Sequence, residues 1–126
     1  MGRDAIIPEG AHTVGPYSPA IRAGDFLFVS GQIPIGPDGE LVRGGIEEQT
    51  RRCLENLRAV LAAAGATFSD LVKVTIYLVD MGDFAAVNRV YAEYFDLAPP
   101  ARACVGVSAL PKGARVEIEA VAYLGN

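Results

Sequence analysis

Apolar residues recur along this chain with two different periods, and the switches between them mark out its elements. Over residues 46–64 the apolar positions Cys53, Leu54, Leu57, Val60, Leu61 and Ala64 fall three and four apart, which is the spacing of one helix face. Gly44-Gly45 precedes this segment and Gly65 ends it, since glycine accepts the left-handed conformation that closes a helix. A second helix is predicted over 83–95, with Phe84, Val87, Tyr91 and Tyr94 or Phe95 inward and Pro99-Pro100 as its stop. Elsewhere period two dominates. Residues 20–23 and 26–30 flank a Gly24-Asp25 turn and read as a hairpin that breaks at Gly31. Residues 71–79, 101–107 and 115–123 read as three more strands, the last two joined by the turn Pro111-Lys112-Gly113.

The predicted order is β-β-α-β-α-β-β within a single domain spanning 1–126. A mixed sheet with two helices on one face, an α+β two-layer sandwich, satisfies that order. Strand alternation then assigns Ala103, Val105, Val107, Val116, Ile118, Ala120 and Ala122 to the helix-covered face. The other face receives Arg102, Cys104, Gly106, Arg115, Glu117, Glu119, Val121 and Tyr123, joined by Lys73, Thr75 and Tyr77 from the central strand. This face would gather a guanidinium, a thiol and carboxylates at one end and apolar groups at the other. Two readings of it stand side by side: an ordinary solvated surface, or a surface through which copies of the chain associate.

Charge and composition narrow the classes. A net charge of −4 and a pI near 4.9 offer little to displace phosphate counterions, so no nucleic-acid partner is expected. Cys53 and Cys104 are too few for a disulfide framework, and with His12 the only histidine a structural zinc site lacks ligands. The N-terminus has no apolar signal core, and no apolar run approaches the roughly 20 residues of a membrane span. The expectation is a cytoplasmic protein with no membrane association.

The chain resembles the Rid family of reactive-intermediate deaminases, also called the YjgF family. The resemblance is carried by Pro100-Ala101-Arg102-Ala103-Cys104-Val105-Gly106-Val107, then Leu110-Pro111 and Val116-Glu117-Ile118-Glu119-Ala120. Gly15-Pro16-Tyr17-Ser18-Pro19-Ala20, Ser30-Gly31-Gln32-Ile33-Pro34, and Asp83-Phe84 with Val87-Asn88 extend it over nearly the whole chain. It implies a chorismate-mutase-like fold and a homotrimer whose sheets form a central barrel, with active sites in clefts between subunits. For the RidA branch it implies hydrolysis of 2-iminobutanoate and 2-iminopropanoate to 2-keto acids and ammonia, with no cofactor.

Residue by residue, the resemblance places Arg102 on the substrate carboxylate, a role suited to a planar guanidinium that binds in a bidentate fork. The residues alone also allow a salt bridge from Arg102 to Glu117 or Glu119. Glu117 matches the glutamate linked to the catalytic water, and Glu119 reads as a structural ion-pair partner. Tyr17 matches a tyrosine at the cleft, able to contact substrate or pass a proton. Ser30 and Gly31 match ligand-contacting positions, although Gly31 also reads as a strand bulge. Cys104 matches a pocket wall more than a nucleophile, and Asn88 a supporting hydrogen bond. Cys53 belongs to the core stripe and His12 receives no role. Pro99 and Gly106 depart from the RidA pattern, at positions that often hold an aromatic residue and a larger polar one, so they bear on side-chain preference. Two further functions remain open at this stage: a regulatory module that binds small carboxylates without turnover, and an endoribonuclease.

Overall fold

The helical periodicities become α1 (Ile46–Ala63) and α2 (Phe84–Ala92) in the computed structural model, which describes residues 2–125. Gly65 takes the left-handed conformation, φ +75°, that ends α1. The strands are β1 (Asp4–Ile6), β2 (Ala20–Ala23), β3 (Phe26–Gln32), β4 (Leu71–Leu78), β5 (Ala101–Gly106) and β6 (Val116–Tyr123). They form one mixed sheet in the order β1-β2-β3-β6-β4-β5. Only β4 and β5 run parallel, as the crossover through α2 requires. This is the expected α+β arrangement of one mixed sheet and two helices.

Leu54, Leu57 and Leu61 of α1 and Val87 and Val90 of α2 close over Leu27, Val74, Ile76 and Ile118 of the sheet, and all are buried. Burying each such side chain contributes about 1.5–3 kcal/mol. Two polar side chains of α1 tie the helix to loops. Gln49 accepts a hydrogen bond from the Arg115 backbone N–H at 2.9 Å. Asn56 donates to the carbonyls of Ile33 and Ile35 at 3.1 and 3.0 Å, which fixes the chain leaving β3.

Four expectations need correction. The short edge strand β1 was not predicted, because Asp4-Ala5-Ile6 is too brief to show alternation. β3 does not break at Gly31 but continues to Gln32 through a bulge. Its register passes from Val29↔Ala120 directly to Gln32↔Ile118, so β3 carries one residue more than β6 there.

The third correction inverts β5. Its register pairs Arg102 with Val74, Cys104 with Ile76 and Gly106 with Leu78. Val74, Ile76 and Leu78 are buried on the helix side, so Arg102, Cys104 and Gly106 point to the helices. Ala103 and Val105 point to the open face, and Val107 follows the strand's end. The physical reason is that β5 is an edge strand flanked by the single short helix α2. Neither of its faces is sealed, and most of its residues are exposed, so apolar character carries no face information. The open face of β6 and β4, with Glu117, Glu119, Val121, Tyr123, Thr75 and Tyr77, is as predicted. Arg115 precedes β6 and pairs with Asp83 at 2.9 Å, so it is not part of that face.

Among the described residues no helix is long and apolar enough to cross a membrane. Leu57 is fully buried between helix and sheet. Leu57→Ala is expected to cost about 2–5 kcal/mol of stability, read from urea denaturation followed by circular dichroism.

Candidate active site

The bulge of β3 builds one half of the candidate site. The loop entering β2 carries Pro16 and Pro19, and β3 staples it from below. The Ser30 N–H donates to the Pro19 carbonyl at 2.9 Å, and the Ser30 hydroxyl donates to the Ser18 carbonyl at 2.6 Å. The Ser30 hydroxyl proton is thereby committed to holding the loop. Tyr17 rides on this loop, its hydroxyl accepting from the Val14 N–H at 3.2 Å. Tyr17, Ser30, Gly31 and Glu117 line a cavity of about 410 Å³ together with Val14 and Gly15. A side chain at Gly31 would collide with the Glu117 carboxylate, so glycine here lets the carboxylate lie against the bulge.

Glu117 sits in β6 facing this cavity. Burial, and secondarily the neighbouring charge of Glu119, hold its carboxyl above the ordinary glutamate value. Glu119, two residues on, accepts a hydrogen bond from the Tyr77 hydroxyl. That bond, ahead of burial, raises the tyrosine. Glu119 thus has a structural partner, and it is a phenol rather than the cation that the sequence suggested.

The second half lies on the helix side of β5. Arg102 donates through Nη1 to Asn88 Oδ1 at 2.8 Å. Its guanidinium carbon stands 4.9 Å from the Tyr91 ring centroid and 5.7 Å from that of Phe84. These are cation–π distances, and two aromatic faces with one amide fix the plane of the guanidinium. No carboxylate pairs with Arg102 among the described residues. Its fork is available to a ligand, and the salt bridge to Glu117 or Glu119 does not form. Cys104 neighbours it on the same face, and burial raises its thiol above the ordinary range, against a smaller opposing pull from Arg102. A thiol held protonated is a poor nucleophile, which favours the pocket-wall reading of Cys104.

The expectation that guanidinium and carboxylates share one sheet face is therefore overturned by the register of β5. Arg102, Cys104 and Asn88 gather on the helix side at the β5 edge. Tyr17, Ser30, Gly31 and Glu117 gather at the bulge of β3, with the Glu117 side chain on the open side of β6. Sequence reasoning missed the aromatic cradle. Its signal was present, because Phe84, Asn88 and Tyr91 are spaced four and three apart on one face of α2, but Phe84 and Tyr91 read only as core. Tyr91 carries a buried hydroxyl with no hydrogen-bond partner among the described residues, and burial pushes its pKa up to about 12. Cys53 is fully buried in the core. His12 does not line the Glu117 cavity, and its Nε2 lies 3.1 Å from the Pro37 carbonyl oxygen. Gly106 stands where an added Cβ would press on Met81 at 3.2 Å. The described residues contain no His, Cys, Asp or Glu group able to hold a metal ion.

A family model described as Endoribonuclease L-PSP matches residues 9–124. A RutC family protein of Pyrococcus horikoshii is 56% identical over 96% of this chain and 98% of its own length. The human 2-iminobutanoate/2-iminopropanoate deaminase is 47% identical over 89% of this chain and 82% of its own. The crystal structure of E. coli TdcF with bound serine superposes with a TM-score of 0.89 at 39% identity, covering 95% of this chain and 98% of that one. The chain belongs to the Endoribonuclease L-PSP family, the Rid (YjgF) family of the sequence resemblance.

The raised carboxyl of Glu117 makes a pH prediction. Between the ordinary glutamate pKa of about 4.3 and the higher folded value, the folded chain holds a proton that the unfolded chain has released. Stability attributable to Glu117 therefore falls as pH rises through that window. Glu117→Gln lacks this loss, so the stability difference between variant and wild type should move in the variant's favour from pH 4 to pH 7. Urea midpoints across that range check it, and an unchanging difference contradicts it.

Proposed function

We propose that this Rid-family chain hydrolyses reactive 2-imino acids and their enamine tautomers to 2-keto acids and ammonia, in clefts completed by neighbouring copies of a homotrimer. The observation that carries the reading is the separation of an unpaired, rigidly held guanidinium from a carboxylate of raised pKa, each lining half a site. One chain cannot close these halves on a small molecule, whereas the edge of one copy docked on the bulge of another can. The open sheet face supports association. Phe26 and Phe28 are 42% and 49% exposed there, and Phe26 packs at 5.3 Å against Tyr123. An aromatic patch of this kind suits contact with another sheet. Kinship with a protein named as a 2-iminobutanoate/2-iminopropanoate deaminase supports the chemistry. Two free cysteines suit a reducing compartment, and we place the protein in the cytoplasm.

In this mechanism Arg102 grips the substrate carboxylate in a bidentate fork and so fixes the imine carbon. Asn88, Tyr91 and Phe84 keep the fork from turning. Glu117 accepts a proton from water as the water oxygen bonds to the imine carbon and the C=N electron pair moves to nitrogen, which takes up a proton from bulk solvent that the collapse of the adduct later returns. The same carboxyl then returns its proton to the nitrogen of the tetrahedral adduct. The C–N bond breaks, ammonia leaves, and the hydroxyl oxygen becomes the keto oxygen as its proton is released. A carboxyl raised above its ordinary value by burial and by Glu119 holds a proton more readily than a free glutamate, which suits it to return the proton it has taken. Tyr17 and the Gly31 backbone close the cavity around the reacting centre, and Cys104 walls the Arg102 side. No cofactor enters.

The test generates imine in situ with an amino-acid oxidase, with semicarbazide competing for it. Wild type should suppress semicarbazone formation and release ammonia. Arg102→Ala should lose about 10- to 100-fold in kcat/KM, as expected for a charged hydrogen-bonding contact. Glu117→Gln should lose about 10²–10⁴-fold in kcat with binding of the keto-acid product retained. Full turnover by Glu117→Gln contradicts the mechanism. Binding without turnover by the wild type, across several amino-acid precursors, favours a regulatory carboxylate-binding module. RNA cleavage lost on salt addition favours the nuclease that the family's description names.

A further inference from the structure

We propose a second ligand site, in the cleft between the N-terminal loop and α1, that takes a small monocarboxylate with an apolar body. The cleft encloses about 300 Å³ beneath residues 8–13, within the size range of small-molecule sites. Pro8, Ala11, Pro19 and Ile33 supply apolar walls, and Arg52 supplies the charge. None of these residues belongs to the Arg102 half, and neither Arg52 nor Asn56 lines the Glu117 cavity.

Arg52 differs from the other arginines of its helix. Arg51 pairs with Glu93 and Arg58 with Glu55, whereas no carboxylate pairs with Arg52 among the described residues. It is instead oriented by a neutral relay. Arg52 Nε donates to Asn56 Oδ1 at 3.1 Å, and the Asn56 amide donates to the carbonyls of Ile33 and Ile35. All the hydrogen-bonding capacity of the Asn56 amide nitrogen is spent on the backbone, so its oxygen can only face the guanidinium. The remaining fork of Arg52 is preorganised for an acceptor that the chain does not provide, and a carboxylate matches it in shape and charge.

Charge limits the ligand further. Glu9 also lines the cleft and would oppose a second negative charge, which selects a monoanion over a dianion. His12 lines the cleft as well, with its Nε2 against the Pro37 carbonyl. The cleft and the Glu117 cavity share Tyr17, Gly31 and Ile33. A bound carboxylate would therefore press on the loop that carries Tyr17. Binding at this site does not depend on the imine reading.

The test titrates benzoate into the full-length Arg102→Ala variant, in which the other guanidinium is absent, and follows amide resonances by nitrogen-15 NMR. Saturable shifts are expected at Gly10, Gly36 and the Asn56 side-chain amide. Adding Arg52→Gln should weaken that binding at least about tenfold, as loss of a charged hydrogen-bonding partner implies, while the rest of the spectrum keeps its folded dispersion. Absence of saturable shifts at these groups, or equal binding with Gln at position 52, overturns the proposal.

Discussion

Side chains on a β-strand alternate between two faces, and the candidate site turns on that constraint. The β4–β5 register fixes Arg102 on the helix side of the sheet, while alternation in β6 fixes Glu117 on the open side. No rotamer brings the two together through a hydrogen-bonded sheet whose middle is buried. Either these residues serve unrelated ends, or a second copy of the chain supplies the missing half. The exposed aromatics of the open face favour the second choice on separate grounds, since water is a poor environment for Phe26 and Phe28.

Each half is held by contacts that act before any ligand arrives. At the bulge, Ser30 anchors the proline-framed loop through backbone and hydroxyl alike, and Gly31 leaves room for the Glu117 carboxylate. On β5, Asn88 and two aromatic rings hold Arg102 without neutralising it. Pairing Arg102 with a carboxylate would have held it as firmly and left it useless as an anion clamp. The electrostatics follow the same division. Glu117 is raised by burial and by its acidic neighbour, and the guanidinium that would lower it stands on the other side of the sheet.

Much of this architecture was legible in the sequence where burial is one-sided. Leu54, Leu57 and Leu61 declare α1, and Val116, Ile118, Ala120 and Ala122 declare the buried face of β6, because each element has one dry side. The residues of the candidate site were legible through family motifs. Their spatial grouping was not. Along β5 both faces are partly wet, so Ala103 and Val105 looked like core and Arg102 like the exposed partner of Glu117. Register with β4 decides the matter, and register across a crossover leaves no trace in local periodicity. The bulge was half-read for a related reason: Gly31 signals an interruption, but whether a strand ends or steps over one residue depends on its partner, β6. Phe84 and Tyr91 show the opposite limit, since an aromatic residue that packs inward and cradles a cation has the same sequence pattern as one that only packs.

The central claim is that one copy contributes Arg102 and another Glu117 to each working site. Subunit complementation tests it most directly. Arg102→Ala and Glu117→Ala chains, each strongly impaired alone, are unfolded together, mixed in equal amounts, reassembled and assayed on in situ imine at low substrate. In a randomly mixed homotrimer with sites between neighbours, about one quarter of the sites regain both residues, so activity should return to about one quarter of wild type. Mixed assemblies that form and yet are no more active than the average of the separate variants would contradict the account, and place both residues in sites built by a single chain.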